Sequence, residues 1–75
     1  MQTNLNHLCL GKPAVVESVD TKPALRQRLR DFGLVPGTQV CCRYRTPGGG
    51  VTAVEFRGSV VALRTRDLDQ IRVRC

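Results

Sequence analysis

Several residue types are scarce in this chain, and their scarcity excludes whole classes of function. Among 75 residues there is no tryptophan, one tyrosine, two phenylalanines and a single histidine. The six acidic residues are scattered, so no carboxylate pair is set up for acid–base catalysis. Ser18 and Ser59 have no plausible base partner, and no G-x-x-x-x-G-K-[ST] loop is present to hold phosphates. We therefore expect a protein that is not an enzyme and has no catalytic residue.

Long apolar runs are also missing from the sequence. No stretch approaches the roughly 20 apolar residues that a membrane-spanning helix needs. The first residues, Met-Gln-Thr-Asn-Leu-Asn-His, have neither a basic segment nor an apolar core, so no secretory signal is expected. We expect a single cytoplasmic domain over residues 1–75, with any membrane contact made indirectly through a partner.

The cysteines lack the spacing of a metal site. Cys9, Cys41, Cys42 and Cys75 contain no C-x-x-C pair, and the two adjacent residues should face opposite sides of a strand. Structural zinc ligands usually come in closely spaced pairs. We expect reduced thiols, no metal site and no cofactor. One question stays open, which is whether His7 or any of the cysteines binds a transition metal.

Positive charge, in contrast, is abundant. Twelve lysine and arginine residues stand against six acidic ones, giving a net charge of +6, and ten of the twelve cations are arginine. This surplus favours acidic partners such as nucleic acid, anionic lipid headgroups or an acidic protein face. Arginine strengthens the point because its planar guanidinium pairs with carboxylates and phosphates in bidentate fashion.

The apolar pattern predicts short strands and one helix. Strands are predicted over residues 13–19, 38–46, 51–57, 59–64 and 70–74, a helix over 24–32 and a single helical turn over 65–69. Val15 and Val19 should share one face of the first strand. Asp20 or Thr21 is expected to cap the helix, and Thr65 the later turn. Together these elements predict a mainly β fold, a small closed barrel with the helix packed over one end.

The three aromatic residues are all predicted to point inward. Leu25, Leu29 and Phe32 recur at i, i+4 and i+7 and so should form the buried stripe of the helix. Tyr44 lies on the apolar side of the alternation in the strand over 38–46, and Phe56 lies in the return strand.

The stretch from Arg28 to Val40 is the most informative part of the sequence. Gly33 can adopt the left-handed conformation that ends a helix, after which Leu34 folds back over the last turn. Pro36 fixes φ at the first corner of a turn, and Gly37 provides the positive φ that a type II turn needs at the second.

The pattern RL…GL.PGT.V in this stretch resembles the FeoA family, small accessory proteins of bacterial ferrous-iron uptake. The matching positions are Leu29, Gly33, Leu34, Pro36, Gly37 and Val40. Leu8 and Gly11 match the opening of the family, and the segment from Leu63 to Val73 matches its end, so most of the chain is covered. The resemblance implies an SH3-like β-barrel with one short α-helix inserted after the first strand.

The resemblance also implies a function and a partner. Proteins of this family act in the cytoplasm with FeoB, a membrane permease for Fe(II) that carries a cytosolic GTP-binding domain. The expected mechanism is protein–protein contact with that cytosolic region, without enzymatic activity and without iron carriage by this chain. Exposed arginines and a loop at the barrel rim are the expected contact surface. The residues are Arg26 and Arg30 on the helix and Thr46, Pro47, Gly48, Gly49, Gly50 and Val51 in the loop. Whether the protein also self-associates stays open.

The alternative is a basic small-barrel module that binds nucleic acid. Proteins that bind single-stranded nucleic acid stack its bases on exposed aromatic side chains. Because Phe32, Tyr44 and Phe56 are all predicted to be inward, the sequence argues against this alternative.

Overall fold

Six antiparallel strands form most of the molecule in a computed structural model that describes residues 2–75. The strands are β1 Gln2–Asn4, β2 Pro13–Val19, β3 Gln39–Arg45, β4 Val51–Phe56, β5 Ser59–Arg64 and β6 Ile71–Arg74. A 3-10 turn covers Leu5–His7, helix α1 covers Pro23–Phe32, and a helical turn, α2, covers Thr65–Leu68. The predicted mainly β fold with one short helix is therefore confirmed.

The strands pair in the order β1-β6-β2-β3-β4-β5. The prediction of a closed barrel is wrong, since over residues 2–75 no ladder joins β1 to β5 and each pairs on one side only. Residues near the N-terminus, where no strand was predicted, form β1, and Thr3 lies opposite Val73 on β6. As a result α1 follows the second strand, and not the first as the resemblance implied.

The buried core draws on almost every element. Its fully or nearly fully buried members are Leu5, Leu8, Ala14, Val16, Leu29, Leu34, Val40, Cys42, Val54, Phe56, Leu63, Leu68, Ile71 and Val73. On β2 the prediction that Val15 and Val19 share a face is wrong, because Val19 and Val16 lie opposite the buried residues Ile71 and Val73, whereas Val15 lies opposite exposed Arg74. The pairing of β2 with β6 shifts register between Val16 and Ser18, and such a bulge breaks the simple alternation of faces.

Two of the three aromatic side chains face solvent, contrary to prediction. Tyr44 is 60% exposed and Phe32 is 54% exposed, whereas Phe56 is buried as expected. On β3, Cys42 lies opposite Val54 and Tyr44 opposite Ala53, so Arg43 is an extra residue that turns Tyr44 to the outer face. Phe32 is the last residue of α1, and Leu29 is the member of the predicted helical stripe that is buried.

Helix α1 ends as the sequence predicts. Gly33 has φ +99°, its N–H donates to the carbonyl of Arg30 at 3.0 Å, and the N–H of Leu34 donates to Leu29 at 2.8 Å. These two bonds form a Schellman motif, and the buried side chain of Leu34 closes it.

The turn that follows ties the helix to two strands. The N–H of Thr38 donates to the carbonyl of Val35 at 3.0 Å, and Gly37 has φ +94°, as a type II turn requires. The Thr38 hydroxyl donates to the carbonyl of Gly33 at 2.9 Å, which joins the turn to the end of α1. Gly37 also donates to the carbonyl of Val16 on β2 at 2.8 Å. The segment that carries the family resemblance is thus a rigid junction.

The predicted helix caps are wrong. Lys22 occupies the N-cap of α1 without a side-chain hydrogen bond, so neither Asp20 nor Thr21 caps it, and Pro23 begins the first turn. Arg64 occupies the N-cap of α2. The Thr65 hydroxyl is directed elsewhere and lies 2.9 Å from the buried hydroxyl of Thr52.

Candidate functional site

Arg26 and Arg30, the predicted docking arginines, lie exposed on α1. They line a small groove of about 220 Å³ together with Asp20 and the segment from Leu34 to Pro36. Neither arginine takes part in an ion pair among residues 2–75. Both side chains are therefore available to an acidic partner.

The predicted docking loop, Thr46 to Val51, is held in place by hydrogen bonds. The N–H of Thr46 donates to the carbonyl of Val51 at 2.9 Å, and the N–H of Gly49 donates to Thr46 at 2.8 Å. The first residue of α2, Thr65, donates its N–H to the carbonyl of Gly50 at 3.0 Å. The loop is thus anchored against α2, and its position is set by the fold.

The structure does not bring the two predicted parts of the docking surface into one groove. Gly49 and Gly50 line a shallow depression of about 600 Å³ with Asn6 and the segment 64–66. Arg26 and Arg30 line the other groove, which contains no loop residue.

A third groove, which the sequence reasoning missed, runs between α1 and β5. It has a volume of about 640 Å³, and its apolar floor includes Leu25 and Phe32 from the helix and Val61 from the strand. We call it the α1–β5 channel. The sequence gives no signal for it, because Phe32 falls on the helical stripe that predicts burial.

Four cations line the α1–β5 channel, namely Lys22, Arg28, Arg64 and Arg66, against one carboxylate, Asp67. None of the four cations forms an ion pair with another described residue. Arg64 and Arg66 also line the depression beside Gly49 and Gly50. The channel and the predicted docking loop therefore form one continuous basic surface.

Thiols and histidine do not assemble into a metal site within residues 2–75, where no group of three potential ligands is present. His7 and Cys9 are both exposed. Cys42 is buried, and this burial raises the pKa of its thiol, while the charge of Arg45 acts in the opposite direction.

Arg45 also has a structural role. It donates from Nη2 to the carbonyl of Asn6 at 2.6 Å and so fixes the 3-10 turn to β3.

Residues 3–75 match the family model of the FeoA domain. The chain belongs to the FeoA family. The resemblance seen in the sequence is thereby confirmed, and the match extends it to both ends of the chain. A comparison with curated proteins found no match. No helix within residues 2–75 is long and apolar enough to cross a membrane.

Solved FeoA structures share this fold. The solution structure of FeoA from Chlorobium tepidum is 33% identical, with a TM-score of 0.92 over 96% of this chain and 69% of that one. FeoA from Stenotrophomonas maltophilia, an SH3 domain protein solved in complex with zinc, is also 33% identical, with a TM-score of 0.83 over 95% of this chain and 88% of that one. Iron(II) transport protein A from Clostridium thermocellum is 26% identical, with a TM-score of 0.87 over 96% of this chain and 44% of that one. The SH3-like fold is thus confirmed, although the sheet formed by residues 2–75 is not the closed one that was predicted.

Proposed function

We propose that this protein is a cytoplasmic, non-enzymatic accessory protein of ferrous-iron uptake, and that it acts by docking onto the cytosolic region of a FeoB-type Fe(II) permease. The observation that carries the proposal is the FeoA-domain match over residues 3–75. Similar structures support the transport role: one is called iron(II) transport protein A, and a ferrous-iron transport activating function has been suggested for another.

The surface of the molecule supports a docking mechanism. Three grooves are lined by arginines that have no acidic partner within the described chain. Arginine is enriched at protein interfaces, and clustered cations speed the encounter with an acidic partner. A protein that works by contact needs such a surface and does not need a catalytic centre.

A binding titration tests this function. The reduced protein is titrated against the isolated cytosolic region of the FeoB-type permease from the same organism, at low and at physiological salt. Saturable binding that persists at physiological salt is the expected result. If no binding occurs at either salt concentration while both proteins are folded, docking onto this partner is excluded.

Two sets of variants test the predicted contact residues within this proposal. We expect Arg26→Ala with Arg30→Ala to weaken permease binding, because each guanidinium is exposed and has no ion-pair partner among residues 2–75. A second variant replaces Pro47 by alanine, since that change alters the exposed loop tip without touching the hydrogen bonds of Thr46. Unchanged affinity for both variants would remove these residues from the interface and leave the docking function itself to the titration.

Nucleic-acid binding is the second candidate function, and one observation now favours it. Phe32 and Tyr44 are exposed, although their predicted burial argued against base stacking. A single-stranded oligonucleotide and a DNA duplex are therefore titrated beside the permease region. Binding through phosphate contacts alone falls steeply as salt rises. Tight nucleic-acid binding at physiological salt, without permease binding, would favour this second function.

A further inference from the structure

The outer edge of β5 has no strand beside it. Among residues 2–75, β5 pairs only with β4 and ends the strand order of the sheet. Four consecutive residues of β5, Val61 to Arg64, line the α1–β5 channel. Neighbouring residues of a strand point to opposite faces, so all four can line one channel only if it follows the edge of the strand.

Backbone groups of β5 point into this channel. The β4–β5 hairpin turns through Arg57 and Gly58, with φ +53° and +77°, between the paired residues Phe56 and Ser59. In such a two-residue hairpin the flanking pair is hydrogen-bonded, and bonded pairs then alternate along the ladder. The N–H and C=O groups of Val60, Ala62 and Arg64 therefore point away from β4, and of these three residues Ala62 and Arg64 line the channel.

The opposite wall of the channel offers an apolar anchor site and positive charge. Phe32 and Leu25 of α1 face Val61 across the channel, and Phe32 remains 54% exposed, so the helix does not close over the strand. Arg28 on α1 and Arg66 on α2 add unpaired cations to the same space. An occupant of this channel needs an extended backbone, at least one apolar side chain and negative charge.

We propose that the α1–β5 channel binds an extended, acidic segment of a partner protein, which pairs with the free edge of β5 as an additional strand. Main-chain hydrogen bonds to Ala62 and Arg64 give such a segment its register. Its carboxylates pair with Arg28, Arg64 and Arg66, and an apolar side chain packs against Phe32. The inference rests on the proposed docking function for the identity of the partner, and names the surface and the chemistry that this partner uses.

Charge selects this occupant over a second copy of the same chain. Pairing two β5 edges would bring the channel cations of both molecules, Arg28, Arg64 and Arg66 from each, into one interface. Collecting like charges in one interface is destabilising. An acidic segment meets the same cations with favourable charge, so we assign the channel to a heterologous partner.

A peptide probe tests the channel independently of the permease. The probe is a short capped peptide that alternates glutamate and valine, and its control carries lysine in place of glutamate. We expect backbone amide shifts on adding the acidic peptide to be largest at Ala62 and Arg64 and around Phe32. The lysine peptide should bind at least about tenfold more weakly. Shifts confined to other surfaces, or equal binding of both peptides, would overturn the proposal.

Three variants separate strand pairing from general charge attraction. Ala62→Pro removes one edge N–H without breaking the β4 ladder, since proline is tolerated at the free side of an edge strand. Arg66→Glu reverses a cation in the channel, and Arg72→Glu makes the same change at an exposed position on β6 outside it. We expect about tenfold weaker acidic-peptide binding for the first two and nearly unchanged binding for the third. Equal weakening by Arg66→Glu and Arg72→Glu would show non-specific attraction and overturn the proposal.

The same variants are then titrated against the permease region. If Ala62→Pro and Arg66→Glu lose peptide and permease binding together, the channel is the docking site. If the wild-type protein binds the acidic peptide at this edge but not the permease region, the proposed function fails while the channel assignment stands. If the permease binds all three variants as tightly as wild type, docking stands and the assignment of the channel to that partner fails.

Discussion

Replacing Gly33 by alanine should destabilise the fold through two separate effects. Gly33 has φ +99°, a conformation that costs an L-residue about 1–2 kcal/mol. In addition, a Cβ at this position would lie 2.7 Å from Cδ of Arg57 and 3.1 Å from its Nε. Moving the arginine side chain out of its rotamer adds about 1 kcal/mol. We therefore expect Gly33→Ala to lower the free energy of unfolding by about 2–3 kcal/mol.

Gly37 provides a matched control within the same segment. Its φ of +94° is nearly the same, but a Cβ there meets nothing within 4 Å. Gly37→Ala should therefore cost only the backbone part, about 1–2 kcal/mol. Arg57→Ala removes the steric partner, so in that background the cost of Gly33→Ala should fall to the value of the Gly37 variant.

Urea denaturation followed by far-ultraviolet circular dichroism measures all four variants, and the double-mutant cycle isolates the contact with Arg57. For a chain of this size each kcal/mol corresponds to a change of about 4–8 °C in Tm, so the differences are measurable. If both glycine variants lose the same stability and Arg57→Ala changes neither loss, the steric part of the reasoning is wrong. A loss below about 0.5 kcal/mol for Gly33→Ala would refute the backbone part as well.

Three further results are expected. Thr65→Val should lower the free energy of unfolding, measured by urea denaturation, by about 1–3 kcal/mol, because it leaves the buried hydroxyl of Thr52 without its Thr65 partner. Valine at both positions should restore much of this loss. Leu68→Ala should lower the free energy of unfolding by about 2–5 kcal/mol, since Leu68 is completely buried although α2 is a single turn. An unchanged unfolding midpoint would contradict its place in the core. Alkylation followed by peptide mass spectrometry should modify exposed Cys9 much faster than Cys42, whose burial raises its thiol pKa, and equal rates would contradict this burial.

The parts of the fold predicted correctly from sequence are those that local chemistry determines. Gly33 and Gly37 adopt positive φ as predicted because a helix stop and a type II turn depend on a few neighbouring residues. The hairpin strands β4 and β5 follow from one short turn, which Arg57 and Gly58 form. The predicted bounds of these strands and of the helix agree with the observed bounds, because they too depend on neighbouring residues.

The errors arise where a strand departs from strict alternation or depends on a distant partner. A bulge at Arg43 reverses the direction of Tyr44, and a second irregularity on β2 places Val19 on the face of Val16 and not on that of Val15. Bulges are set by the register with the neighbouring strand, which a single sequence does not encode locally. β1 was missed because its three residues become a strand only through pairing with β6, at the other end of the chain. The α1–β5 channel was missed for the same reason, since it joins α1 to a strand far along the sequence.

The open edge of β5 and the positive charge beside it are best understood together. An unpaired edge is a hazard because it offers backbone groups to any extended chain, including a second copy of the same protein. Proteins often protect such edges with charged side chains, and here Arg64 ends the edge strand while Arg66 and Arg28 flank it. Cations that repel another copy of this chain also attract a partner segment that carries negative charge. The same residues can therefore keep the free protein from self-pairing and restrict the edge to a partner of opposite charge, which is why reversing one of them should affect binding far more than reversing Arg72.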